Sequence, residues 1–366
     1  MQIGIIGLGL IGGSVAKALK KVHAQNSYII AYDINPSELQ SALEEGIINE
    51  RADEVGKAFQ KCNVIFICTP IGEIAPTVEK LLPHLAPDCI LTDIGSTKYD
   101  VVQEITSLIE KQNKKLYFIG GHPMAGSERS GYQASTPHLF ENAYYVLTPS
   151  MDTPDFILFI LQKLVERLGA IPIILSASYH DFATAAVSHI PHIIASSLVH
   201  LVKKSDGENR YLHTLAAGGF KDITRIASSN ATVWQHICLS NHEQILKLFK
   251  QYKSILQEFI TFLESKDEEA LYDFFESSRI YRDTFNDSIA NDINKNFTLY
   301  VDAKDEPGII ASIATLLSSH RINIKDIGII NHREFEAGVL RICVESKKDR
   351  LLAWEVLAKH HYTLYY

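Results

Sequence analysis

The sequence predicts an α/β chain with three parts: an N-terminal doubly wound parallel sheet, an all-helical middle domain and a small C-terminal α+β module. Three observations carry this. Short apolar runs alternate with helix-period segments over residues 1–150. After Thr148-Pro149 strand patterns become scarce, and long helical spacings run to about residue 290. Beyond the polar stretch Asn291 to Asn296, strand, helix and strand patterns follow within one short segment. The expected domains are 1–150, 151–292 and 296–366, and a chain of 366 residues suits two or three domains of ordinary size.

Strands are expected at 3–6, 28–32, 64–68, 90–93, 117–119 and 144–147. The helical half is interrupted near Pro172, Pro191 and Gly218-Gly219, and Pro191 is expected to kink its helix. Ile245, Phe249, Tyr252, Leu256, Phe259 and Leu263 alternate steps of four and three, a helix seam that packs either inside the subunit or against a second copy. The last module reads as strand 297–301, helix 308–319 and strand 338–344.

With 46% hydrophobic and 21% charged residues, the composition allows a packed core. A formal net charge of -8 and no dense Lys/Arg run argue against nucleic acid as a partner. The five cysteines form no CxxC pair, so neither a zinc knuckle nor a disulfide framework is suggested and a reducing compartment fits. Met1 to Ile6 run into a strand without a charged leader, and no apolar run is long enough to span a bilayer. A cytoplasmic protein without a membrane partner is expected.

Gly7-Leu8-Gly9-Leu10-Ile11-Gly12 is a GxGxxG that follows a strand pattern and opens a helix pattern. Gly7 permits the tight turn, Gly9 lets backbone approach a pyrophosphate, and Gly12 lets helix and strand pack closely. Asp33 ends the second strand, where a carboxylate accepts hydrogen bonds from ribose hydroxyls. No arginine follows it, so NAD is favoured over NADP. Thr69-Pro70 and Gly95 end the third and fourth strands, on the edge where such sheets bind the nicotinamide half.

Gly120-Gly121-His122-Pro123 places a histidine where a strand should end. An imidazole with an ordinary pKa of about 6.5 accepts a proton near neutrality, as oxidation of an alcohol by a nicotinamide requires. Arg225 carries the forked donors that fit a carboxylate bidentately.

The glycine fingerprint, Gly121-His122-Pro123-Met124-Ala125-Gly126-Ser127-Glu128, and Phe220 to Ala227 with Trp234 together resemble prephenate dehydrogenase. The C-terminal segments Asp305-Glu306-Pro307-Gly308 and Ile322-Asn323-Ile324 resemble an ACT domain, which some members carry. The first part is then a Rossmann-type domain, and the middle one binds substrate and dimerises. The resemblance implies oxidative decarboxylation of prephenate to 4-hydroxyphenylpyruvate in tyrosine synthesis. It implies His122 as base, and Ser96 hydrogen-bonding both the substrate hydroxyl and His122. Arg225 is implied as the carboxylate anchor, and a histidine of Ser188 to His192 as a substrate contact, His192 favoured over His189. Ser127 and Glu128 sit beside the substrate mouth.

A metal reading of His189 and His192 lacks a third ligand, so none is expected. In the last module Asp305, Gly308 and Asn323 are candidates for binding L-tyrosine, or the module only pairs subunits. A homodimer is what the resemblance implies. The alternatives are arogenate dehydrogenase, a 3-hydroxyacid-type dehydrogenase using Lys221, and a non-catalytic NAD and amino-acid sensor.

Overall fold

The computed structural model describes residues 1–22, 27–112, 114–126, 129–291, 297–303, 306–330 and 338–365. The chain divides into two units, Met1–Ile255 and Leu256–Tyr366.

The first unit begins with β1 (Gln2–Ile6), α1 (Leu10–Val22), β2 (Tyr28–Tyr32), α2 (Pro36–Glu44), β3 (Glu50–Arg51), β4 (Val64–Ile67), α3 (Ile74–Leu81), β5 (Ile90–Asp93), α4 (Tyr99–Glu110), β6 (Tyr117–Pro123), β7 (Tyr144–Pro149), α5 (Asp155–Arg167) and β8 (Ile171–Ile174). The strands form one sheet in the order β3-β2-β1-β4-β5-β6-β7-β8. Six strands, β3 through β6 in that order, run parallel; β7 is antiparallel to β6 and parallel to β8. The sheet is therefore mixed rather than wholly parallel. It also continues through α5 and β8, past the change of texture at residue 150, because Ile171 to Ile174 pair in register with Tyr144 to Leu147.

Both faces of the central strands are buried, which is why they read as continuous apolar runs. Ile3, Ile5, Val64 and Phe66 enter one core with α1 and α5, while Ile6, Ile65 and Ile67 enter the other with α3 and α4. Successive side chains leave a strand on opposite faces, so each run feeds two cores.

The helical part follows: α6 (Ala177–Thr184), a π-helical turn (Ala185–His189), α7 (Ile190–Ser205), α8 (Tyr211–Leu215), α9 (Gly218–Thr224), a 3-10 turn (Arg225–Ser228), α10 (Ala231–Ser240) and α11 (His242–Ser265). Ser176 caps α6 by accepting from Tyr179 N. Residues 177–205 form a continuous run long and apolar enough to cross a bilayer by composition, yet it carries buried polar groups that Asp181 and His180 satisfy with neighbours in this unit. The π turn lies directly before Pro191, where a kink was expected. Proline has no N–H for the carbonyl of Val187 and its ring crowds that carbonyl, and one wider turn, with Ile190 N–H bonded to Ala185 O, relieves both.

In the second unit the end of α11 is followed by α12 (Glu268–Asn291), β9 (Phe297–Ala303), α13 (Ile309–Ser319), β10 (Ile324–Ile330), β11 (Gly338–Val344), α14 (Lys347–Lys359) and β12 (Thr363–Tyr365). The four strands make an antiparallel sheet in the order β10-β11-β9-β12. Leu299, Val301, Leu340 and Ile342 pack on Ile313, Leu317, Ala353 and Leu357 of its two helices. β10, α14 and β12 were absent from the expected pattern. Along the α11 seam Ile245 is buried, whereas Leu256 and Leu263 are exposed.

Candidate active site

The glycine loop joins β1 to α1 at the carboxyl edge of the sheet. Gly7 has φ +95°, and a Cβ there would stand 2.5 Å from Cys68 O. A Cβ on Gly12 would lie 1.9 Å from Gly7 O, so helix and strand meet with no room for a side chain. At Gly9 a Cβ would meet nothing within 4 Å, leaving open space over the first turn of α1. Asp33 Oδ2 accepts from Leu8 N at 2.6 Å and Oδ1 from Asn35 N at 2.8 Å. The carboxylate thus shapes the loop and keeps further acceptor capacity for a ribose. Thr69 Oγ1, just beyond β4, is buried with no hydrogen-bond partner among the described residues. An open cradle at a helix N-terminus and an unpaired hydroxyl on the same edge fit a dinucleotide. Leu10 and Ile11 begin α1, Pro70 follows Thr69, and Gly95 N donates to Asp93 Oδ2 at 2.8 Å.

His122 lies near the end of β6, inside the strand rather than after it, since β6 continues to Pro123 in register with Tyr145. Its Nδ1 is 2.8 Å from Nε2 of His180, and the rings meet edge to face. His180 Nδ1 is in turn 2.7 Å from Asp181 Oδ1. Asp181 also accepts from Lys98 N at 2.7 Å and Tyr99 N at 2.8 Å, so it satisfies the first N–H groups of α4. Lys98 is fully buried and its ammonium pairs with the equally buried Asp93, whose Oδ1 accepts from Gly121 N. Burial, then the neighbouring His180, Lys98 and His189, hold the His122 pKa well below the ordinary histidine value. A neutral imidazole at neutral pH is the form that accepts a proton.

Ser96 precedes Thr97 and Lys98 on the same edge, but among the described residues no hydrogen bond joins it to His122. The Nδ1 side of the ring is held by His180. His189, on the π turn, accepts from Asn241 Nδ2 at 3.2 Å, and burial pushes its pKa down to about 4. His192 stacks on Trp234 with centroids 3.5 Å apart and planes 17° apart. Both histidines share that indole, since His189 meets it edge on. Among the described residues no cluster could hold a metal ion.

Arg225 opens the 3-10 turn against α7; it is exposed, with no ionic partner among the described residues. Lys221 is exposed on α9. Ser127, Glu128 and Asp305 lie outside the described residues. Gly308 is the N-cap of α13 with φ +95°, and Asn323 is exposed just before β10.

Sequence reasoning passed over His180 and Asp181. Their adjacency in the first turns of a helix capped by Ser176 is a local signal, but only the fold brings them to β6.

The family model described as prephenate dehydrogenase, nucleotide-binding domain matches residues 15–174, and that described as prephenate dehydrogenase, dimerization domain matches residues 176–277. The chain is 37% identical over 364 residues to the prephenate dehydrogenase of Bacillus subtilis (strain 168), covering 99% of this chain and 97% of that one. Synechocystis arogenate dehydrogenase superposes with a TM-score of 0.70 at 32% identity, over 78% of this chain and 100% of that one. Prephenate dehydrogenase from A. aeolicus, solved in complex with hydroxyphenyl propionate and NAD+, superposes at 0.72 with 30% identity, over 78% and 98%. With 37% identity to the Bacillus subtilis relative along almost its whole length and the two family models matched in sequence over 15–174 and 176–277, the chain belongs to the prephenate dehydrogenase family.

Proposed function

We propose that this protein is an NAD-dependent prephenate dehydrogenase in tyrosine synthesis, and that His122 is its general base. The carrying observation is the half-buried His122 imidazole, kept neutral at the carboxyl edge of a sheet whose glycine loop is built for a dinucleotide. When bound, NAD supplies the oxidised nicotinamide that accepts a hydride from the ring carbon bearing the substrate hydroxyl. His122 takes the hydroxyl proton as that carbon becomes a carbonyl. The ring then loses its carboxylate as carbon dioxide, the freed electron pair makes it aromatic, and the phenolic oxygen regains a proton from the imidazolium. Ser96 donates to the substrate oxygen, and Arg225 with a histidine of the 189–192 turn holds the carboxylates. Trp234 keeps the His192 ring in place by stacking.

Asp33 binds ribose, Thr69, Pro70 and Gly95 line the nicotinamide half, and Ser127 and Glu128 border the substrate. The enzyme works as a homodimer through its helical part, in keeping with the dimerization model matched to 176–277. A cytoplasmic location goes with this reading, as do five unpaired cysteines. The C-terminal sheet with its two helices is ACT-like, and tyrosine binding near Asp305, Gly308 and Asn323 gives end-product control. Unchanged rates up to millimolar tyrosine would leave this module only a pairing role.

A second reading is favoured by one observation: the Synechocystis relative is an arogenate dehydrogenase at similar identity. Arogenate differs by an amino group in place of the side-chain keto oxygen. NADH formation with each substrate separates the two; we expect a higher kcat/KM for prephenate, and a clear preference for arogenate would reverse the assignment.

A further inference from the structure

We propose that His180 and Asp181 are positioning residues that hold His122 in the one tautomer whose bare nitrogen, Nε2, faces the reaction. This rests on the reading of His122 as base.

With one hydrogen on the His180 ring, the hydrogen count leaves one arrangement. Asp181 Oδ1 only accepts, so the 2.7 Å contact places the hydrogen on His180 Nδ1. With that single hydrogen the His180 ring carries its lone pair on Nε2, 2.8 Å from His122 Nδ1. One hydrogen must lie between those two nitrogens, and it can come only from His122. His122 is therefore protonated at Nδ1 and bare at Nε2. In the other tautomer two lone pairs would oppose each other in a buried space. When Nε2 takes the substrate proton, the His122 imidazolium keeps its Nδ1 hydrogen on His180, and the charge is met through that ring by the Asp181 carboxylate. This is the base and orienting-group logic of a catalytic triad, with a second imidazole between base and acid.

The same carboxylate closes a loop of contacts around the base. From Asp181 it runs to the backbone N–H of Lys98, from the Lys98 ammonium to Asp93, and from Asp93 to the N–H of Gly121, the residue before His122. Asn241 Nδ2 donates to Asp181 O at 2.8 Å, securing the helix that carries the pair. The charged and titratable groups acting on His122 are thus His180 and Asp181 of α6, His189 of the π turn, Lys98 before α4 and Asp93 of β5. Every one of these side chains is almost completely buried, so the arrangement has little freedom to reorganise.

The test is 15N NMR of the His122 ring in the full-length enzyme near neutral pH, together with steady-state kinetics of His180→Phe and His180→Gln. We expect the wild-type ring protonated at Nδ1. His180→Phe should lower kcat roughly 10–10²-fold with little change in substrate KM, and His180→Gln, whose amide oxygen still accepts, should recover part of the loss. A wild-type His122 protonated at Nε2, or a folded His180→Phe enzyme with unchanged kcat, would overturn the proposal. If His180→Phe does not fold, the wild-type spectrum still decides. Failure of the base reading itself would show separately, as full activity in His122→Asn.

Discussion

At the scale of single residues, the proposed chemistry rests on the His122 imidazole, whose pKa burial, then the neighbouring His180, Lys98 and His189, hold well below the ordinary value. A base with its pKa held well below the ordinary value stays deprotonated across neutral pH. kcat/KM should therefore stay flat as pH falls from 8 through 6.5, and drop only below the usual histidine range; a midpoint at or above 6.5 in the pH profile would contradict that environment. Arg225 is exposed and without an ionic partner among the described residues, so its removal leaves no buried charge behind there. Arg225→Ala should raise KM for the substrate by about 10–10²-fold with a smaller effect on kcat, the signature of lost ground-state binding. His122 was legible in the sequence because glycines and a strand end surround it. His180 and Asp181 were not, since a side chain 58 residues away along the chain reaches His122 only through the folded topology.

At the scale of elements, the glycine loop separates fold from ligand. Gly12→Ala forces a Cβ against a backbone oxygen and should destabilise the protein by about 1–3 kcal/mol, besides weakening NAD binding. Gly9→Ala meets only open space, so it should leave the urea midpoint unchanged while weakening NAD binding by tenfold or more; a Gly9→Ala protein that binds NAD normally would remove the dinucleotide from that cradle. The π turn makes a second prediction. The unfolded chain takes up a proton on His189 near pH 6.5, whereas the folded chain refuses it until about 4. Stability thus falls as pH drops through that window, by about 3 kcal/mol from this group. His189→Gln, which still accepts from Asn241, should flatten the slope of unfolding free energy against pH; an unchanged slope would place the acid sensitivity elsewhere. The central strands were readable because both faces are buried and their apolar runs are unbroken. β8 was missed because Pro172 breaks the pattern of a strand that pairs on one side only, and the two-residue β3 is too short for any period to show.

At the scale of the whole molecule, the three textures of the sequence are visible in the large sheet, the helices and the small antiparallel sheet. What the sequence left open was how the helical surface is used. In the first unit Tyr211, Leu215 and Leu239 are all more than half exposed. We expect sedimentation at micromolar concentration to give a dimer, and the double change Leu215→Asp with Leu239→Asp to shift it toward monomer. A monomeric wild-type chain would mean that these side chains serve some other contact. The most direct measurement for the enzyme is NADH formation from prephenate by His122→Asn beside wild type, with NAD affinity determined on both. Turnover should fall by ~10²–10⁴ while NAD binding is nearly unchanged; wild-type turnover in the variant would contradict the assignment of His122 as the base.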